Sequence, residues 1–141
     1  MNYWLFQGNP KYYQVFKAIQ DFDEMPWLVT RYGKDIFPGD GVIIWISGTQ
    51  AGIYALAEVT QTAKFLTEIP DKKYWSDPTR ALGKQQAMIR FTHKLIESPL
   101  LKTALQQDPV LKNLLVIRAP NSTNFKVSAE EWLKVQELIK I

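Results

Sequence analysis

Apolar residues recur along this chain in short bursts, most of them too short for helices and bounded by glycine, proline or polar clusters. Tyr3 to Gln7 alternates as a strand that Gly8-Asn9-Pro10 breaks. Pro10 suits the first turn of a short amphipathic helix, with Tyr13, Phe16 and Ala18 or Ile19 on one side. Asp21 to Pro26 reads as a polar connection and Trp27 to Tyr32 as extended chain. Pro38-Gly39 forms a turn, because proline presets the second position and glycine supplies a positive φ at the third. Val42 to Ile46 and Ile53 to Val59 are then strands joined by a loop, Ser47 to Gly52. Lys64 to Gly83, with Pro70 and Pro78, predicts a long loop over one face.

Met88 to Leu95 has a period of two, with Ile89, Phe91, His93 and Leu95 on one side and Arg90, Thr92 and Lys94 on the other. On that pattern His93 is a core histidine on the inward row. Pro99 to Gln107 suits a short helix, and Asp108-Pro109 opens another that ends near Asn113. Leu114 to Arg118 reads as a strand and Ala119 to Asn124 as a polar loop. Ser128-Ala129-Glu130-Glu131 is a capping box for a last helix, whose buried stripe is Trp132, Val135 and Ile139. These patterns predict an α+β fold. Five to six short strands form a mixed sheet curled into a barrel, with small peripheral helices.

A length of 141 residues predicts a single domain with a sizeable core. With no cysteine the chain has no disulfide, thiol nucleophile or thiolate metal site, which fits a reducing cytoplasm. One histidine rules out a multi-histidine metal centre, and no metal or cofactor is expected. The N-terminus starts as a strand rather than a charged and then apolar leader, so no signal peptide is expected. No apolar run approaches the ~18 residues of a membrane span. The net charge is +3, and its distribution is uneven. Between Thr60 and Lys126, Lys and Arg outnumber Asp and Glu by eleven to five. Such a segment suits a polyanionic partner. Phosphate-loop, dinucleotide-fold and zinc-protease motifs are absent from the sequence.

The series Tyr3-Trp4-Leu5-Phe6, Trp27-Leu28-Val29-Thr30-Arg31-Tyr32, Pro38-Gly39-Asp40, Trp45-Ile46-Ser47-Gly48 and Ala51-Gly52-Ile53 resembles the EVE domain. The tail, Leu114 to Arg118 with Asn124-Phe125 and Glu130-Glu131-Trp132, is similar to the C-terminal part of the same family. The resemblance spans nearly the whole chain, in order. It implies a PUA-like barrel related to the YTH and SRA domains, which hold a modified nucleobase in an aromatic pocket. It also implies a nucleic-acid partner, DNA or RNA, and a setting in bacterial defence or RNA modification. By similarity to YTH domains, Gly8-Asn9 and Trp27 lie around the base, and Trp75 is the second cage tryptophan. Where some EVE members keep an Arg-Asn pair, this chain has Arg31-Tyr32.

A bound base needs apolar faces for its ring and donors or acceptors at its edge. Trp27 and Trp45 are expected to supply faces, since Trp45 sits where its strand opens into Ser47-Gly48. The main chain of Leu28, Val29 and Ser47 and the side chains of Asn9, Ser47 and Asn121 are expected at the edge. Arg31, Lys34, Lys84, Arg90, Lys94, Arg118 and Lys126 are the cations expected to track phosphates. The expected function is a binding module for a modified base rather than an enzyme. An RNA-processing enzyme like the related ASCH group and a small-ligand adaptor stand as alternatives.

Overall fold

The computed structural model describes residues 1–139. A sheet of seven strands carries the chain: β1 (Tyr3–Gly8), β2 (Glu24–Val29), β3 (Gly41–Ile46), β4 (Gly52–Phe65), β5 (Gln85–Lys94), β6 (Leu100–Leu101) and β7 (Asn124–Val127). The strand order is β2-β5-β4-β3-β1-β7, with β6 added to β4. β1 runs parallel to β3, and every other pairing is antiparallel. The helices are α1 (Val15–Asp21), α2 (Lys102–Leu105), α3 (Leu115–Arg118) and α4 (Ala129–Ile139). No helix among the described residues is long and apolar enough to cross a membrane.

The sheet curls but does not close into a barrel through a backbone ladder. Its two end strands, β2 and β7, meet through one side chain. The buried Asn124 amide donates to Leu28 O at 3.0 Å and accepts from Thr30 N at 2.8 Å. Leu28 O and Thr30 N are the two groups that a single residue of a parallel neighbour would engage. The Asn124 side chain therefore takes the place of one strand residue opposite Val29.

Curling gives the sheet two buried faces. β3 is buried at every position. Val42, Ile44 and Ile46 enter an inner core with Trp4, Phe6, Trp27 and Ala57, and α1 adds Val15, Ala18 and Ile19. Ile43 and Trp45 point the other way, into a second core with Leu5, Leu105, Leu111, Trp132 and Val135. α4 seals that face through its Trp132–Val135 stripe. Its capping box forms as read, with Glu131 N donating to Ser128 Oγ at 3.1 Å and Ser128 N to Glu131 Oε1 at 2.9 Å. Gly39 has φ 93° in the turn before β3, and the following Asp40 carboxylate accepts from Trp4 Nε1 and Phe37 N.

Several elements differ from the sequence reading. α1 starts at Val15, not Pro10, because Tyr12 N and Tyr13 N fold back onto Asn9 O. β2 begins at Glu24, so Pro26 is a strand residue; it is tolerated because β2 is an end strand. β4 continues past Val59 to Phe65, and β5 begins at Gln85. Leu114 to Arg118 contains a one-turn helix, α3, rather than a strand. A short apolar run carries no period that separates the two. Within Pro99 to Gln107 only Lys102–Leu105 is helical, because Leu100–Leu101 pairs with β4. His93 is exposed, not inward-facing. The β4–β5 register slips between Leu56↔His93 and Ala57↔Phe91, and the extra residue resets the alternation.

Candidate functional site

A cleft of about 160 Å³ opens at the seam between β2 and the C-terminal end of β1. Strand ends supply Gln7, Gly8 and Asn9 on one side and Met25 through Leu28 with Thr30 on the other. Gln86 of β5 and Thr123 before β7 also line it. The remaining wall comes from Tyr12, Tyr13, Asp71, Trp75, Arg80 and Lys84. The loop holding Asp71 and Trp75 is pinned to the segment before α1: Gln14 N donates to Tyr74 O at 2.8 Å and Ser76 N to Tyr12 O at 2.9 Å.

Trp27 lies low in the cleft, only 6% exposed. Gly8 makes room for it: a Cβ there would lie 3.2 Å from the Trp27 ring and 3.0 Å from Val15 Cγ2. Trp75 is half-buried and meets the Tyr13 ring edge-on, with centroids 4.7 Å apart. Two indoles and the Tyr12 ring thus give the cleft aromatic walls.

Its polar groups are buried and incompletely paired. Asp71 is 1% exposed and accepts the Tyr13 hydroxyl proton through Oδ2 at 2.6 Å. Asp71 Oδ1, Trp75 Nε1 and Gln86 Nε2 have no hydrogen-bond partner. The Trp75 indole N–H lies on the Asp71 side without closing a hydrogen bond of good geometry. Burial pushes the Asp71 carboxyl above its ordinary range, opposed by the Tyr13 hydrogen bond. Burial, and then the neighbouring carboxylate, push Tyr13 well above the usual tyrosine range, so its hydroxyl stays a neutral donor.

The sequence matches the family model of the EVE domain over residues 2–138. The chain belongs to the EVE domain family. No curated protein matches it. Among solved structures, this EVE domain is similar to a hypothetical protein from Leishmania major at 19% identity, covering 98% of this chain and 94% of that one, with a TM-score of 0.72. It is also similar to human THYN1 in complex with 5-methylcytosine-containing DNA, at 13% identity over 98% and 97% of the two chains, TM-score 0.71. The YTH domain of Zygosaccharomyces rouxii MRB1, in complex with N6-methyladenosine RNA, matches at 12% identity over 99% and 86%, TM-score 0.62. At these identities the likeness is one of fold, the PUA-like curled sheet.

Of the residues expected around a base, this EVE domain brings Asn9, Trp27, Leu28 and Trp75 to the cleft, together with the cation Lys84. Trp45 is not there; the pleat of β3 turns it into the second core, 2% exposed. Val29 is buried in the inner core, and Asn121 is exposed outside the cleft. Ser47 braces Gly8 instead, its backbone N–H donating to Gly8 O at 3.0 Å. Arg90 pairs with Glu58, and Lys94 lies 3.7 Å from Asp23 and donates to Phe22 O. Lys34 and Arg118 are exposed and do not line the cleft.

Arg31 and Lys126 come together on Tyr32, 4.8 Å and 5.2 Å from its ring centroid. Neither pairs with a carboxylate among the described residues. Tyr32 holds φ 63°, a left-handed conformation uncommon for a bulky side chain. At the cleft itself Arg80 stacks on Tyr12 at 3.8 Å, with Lys11 5.5 Å from the same ring. Sequence reading missed Tyr12, Tyr13, Asp71, Arg80 and Gln86. Nothing local singles them out, because the register of β5 and the pinning of the 70–80 loop decide their placement.

Proposed function

We propose that this EVE domain is a binding module that takes a single nucleobase, modified in its natural ligand, into the seam cleft. The observation that carries this reading is the pairing of Trp27 and Trp75 in one small cleft with fixed strand ends at its rim. Rings above and below a base contribute roughly 1–3 kcal/mol of stacking each. The strand ends at Asn9 and Leu28 offer backbone groups already held in place. Arg80 and Lys84 at the mouth, and Arg31 and Lys126 beyond Thr30, supply charge for the flanking phosphates. The ligand-bound THYN1 and YTH structures of the same fold, with 5-methylcytosine DNA and N6-methyladenosine RNA, support a base as occupant.

The test is a titration of short single-stranded DNA and RNA oligonucleotides, each with one central base unmodified or methylated, followed by tryptophan fluorescence. Salt-sensitive binding that strengthens for one modified base is expected. Trp27→Ala should weaken it about tenfold or more, with thermal unfolding checking that the variant is folded, since Trp27 also packs in the inner core. Trp45→Ala is the control for lost packing: it costs about 3–5 kcal/mol of fold stability by opening the second core, and the folded variant should bind as the wild type does. Unchanged binding by Trp27→Ala would overturn the assignment. Binding to no oligonucleotide would favour the small-ligand or enzymatic alternatives.

A further inference from the structure

Among the described residues, the three buried side-chain polar atoms left without a partner, Asp71 Oδ1, Trp75 Nε1 and Gln86 Nε2, all belong to residues that line the same cleft. Folded proteins satisfy nearly all such atoms, so their convergence on one concavity points to a ligand that completes them. Asp71 is the most demanding of the three. An ionised carboxylate only accepts, and a buried one with an idle oxygen is costly to keep. The other oxygen is committed to the Tyr13 hydroxyl at 2.6 Å, and Tyr13 is itself held by its edge-on contact with Trp75. Apart from the Trp75 N–H, which lies on the Asp71 side without closing a good bond, the remaining oxygen has no donor, so acceptor capacity is left for a ligand. A side-chain amide can turn either its oxygen or its nitrogen to a partner, so Gln86 adapts where Asp71 does not.

Resting on the base-binding reading above, we infer that Asp71 reads one N–H donor on the edge of the bound base. The cleft then accepts modifications that leave that hydrogen in place and rejects bases that have lost it. A methyl group on a ring carbon, or on an amino group that keeps one hydrogen, is compatible. Removal of the exocyclic amine or alkylation of the ring N–H is not. The partner is thus an amino- or lactam-bearing base, with the Gln86 amide able to donate to an acceptor beside that N–H.

The experiment compares matched oligonucleotides in which this donor is present or has been removed or blocked. The pairs are 5-methylcytosine against 5-methylpyrimidin-2-one, N6-methyladenine against N6,N6-dimethyladenine, and thymine against N3-methylthymine. In the wild-type protein, within each pair whose parent binds, loss of the donor should lower affinity about tenfold or more, since an unpaired buried acceptor remains. In Asp71→Asn, where the Tyr13 hydroxyl holds the amide oxygen and the amide N–H faces the cleft, that preference should flatten or reverse. Thermal unfolding of the variant checks that it is folded, and the wild-type comparison stands without it. If parent and analogue bind alike while Trp27→Ala still weakens binding, the Asp71 inference falls and the base cleft stands. If Trp27→Ala has no effect, or no oligonucleotide binds, both fall.

Discussion

At the scale of single residues, Asp71 shows a site working against stability. Its folded-state pKa is raised by burial, so the native protein holds this proton more tightly than the unfolded chain. Between the ordinary carboxyl value of about 4 and the raised one, stability from this group falls as pH rises. Asp77 and Asp108 are shifted down, Asp77 by hydrogen bonds from Thr79 and Asp108 by the backbone N–H groups of Leu111 and Val110, and they act in the opposite sense. Comparing Asp71→Asn with the wild type cancels those two. The variant's melting temperature, relative to wild type, is therefore expected to climb as pH rises from about 4 through the raised Asp71 pKa. A difference that stays flat across that range would show that the carboxyl titrates normally. Gain of stability with loss of base discrimination would mark a residue retained for binding.

The same scale shows what the sequence could and could not reveal about the site. Asn9, Trp27 and Trp75 are expected around a base from the likeness to YTH domains, and all three line the one cleft. Trp45 stands in a recognisable motif, yet a pleat alternates faces, and in a strand buried on both sides the apolar pattern does not say which face is which. Tyr13 and Asp71 are 58 positions apart, and only the tertiary fold joins them.

Among elements, β1 to β5 and the last helix were legible in their central parts because their patterns are local, whereas β6 falls in a segment that reads as helix and β7 goes unread. The failures lie where packing overrode the pattern. The slipped β4–β5 register exposes His93, and the run 114–118 coils because Leu114 and Val116 reach the second core from one turn. The seam between β2 and β7 is the clearest case. A lone asparagine at the edge of a predicted loop completes the sheet, a role no spacing discloses. Asn124→Ala strands Leu28 O and Thr30 N, for a loss of about 2–3 kcal/mol. A melting temperature about 10 °C lower is expected by circular dichroism. Asn121→Ala, three positions away and exposed, is expected to change it by no more than about 2 °C. Equal effects for the two would mean that the seam closes without the amide.

Across the whole molecule, the modest net charge understates how the cations are arranged. Arg31 and Lys126 share one ring, and Lys11 and Arg80 another. Like charges held this close repel until an anion comes between them. Each phosphate neutralised adds about 0.7–0.9 to the slope of log affinity against log salt. The double variant Arg31→Gln/Lys126→Gln is expected to lower that slope by about 1.5 without altering which base is preferred. An unchanged slope would place the strand elsewhere on the surface.

The amide of Asn124 has a further consequence at the far side of β2. An end strand offers its free backbone groups to any chain that can lie beside it, and the first bonds set the register of everything that follows. Here the place where such pairing would begin is already taken by a side chain that imitates a strand, and Pro26, two positions before Leu28, has no N–H to offer. That edge of β2 is thus a poor template for a further strand.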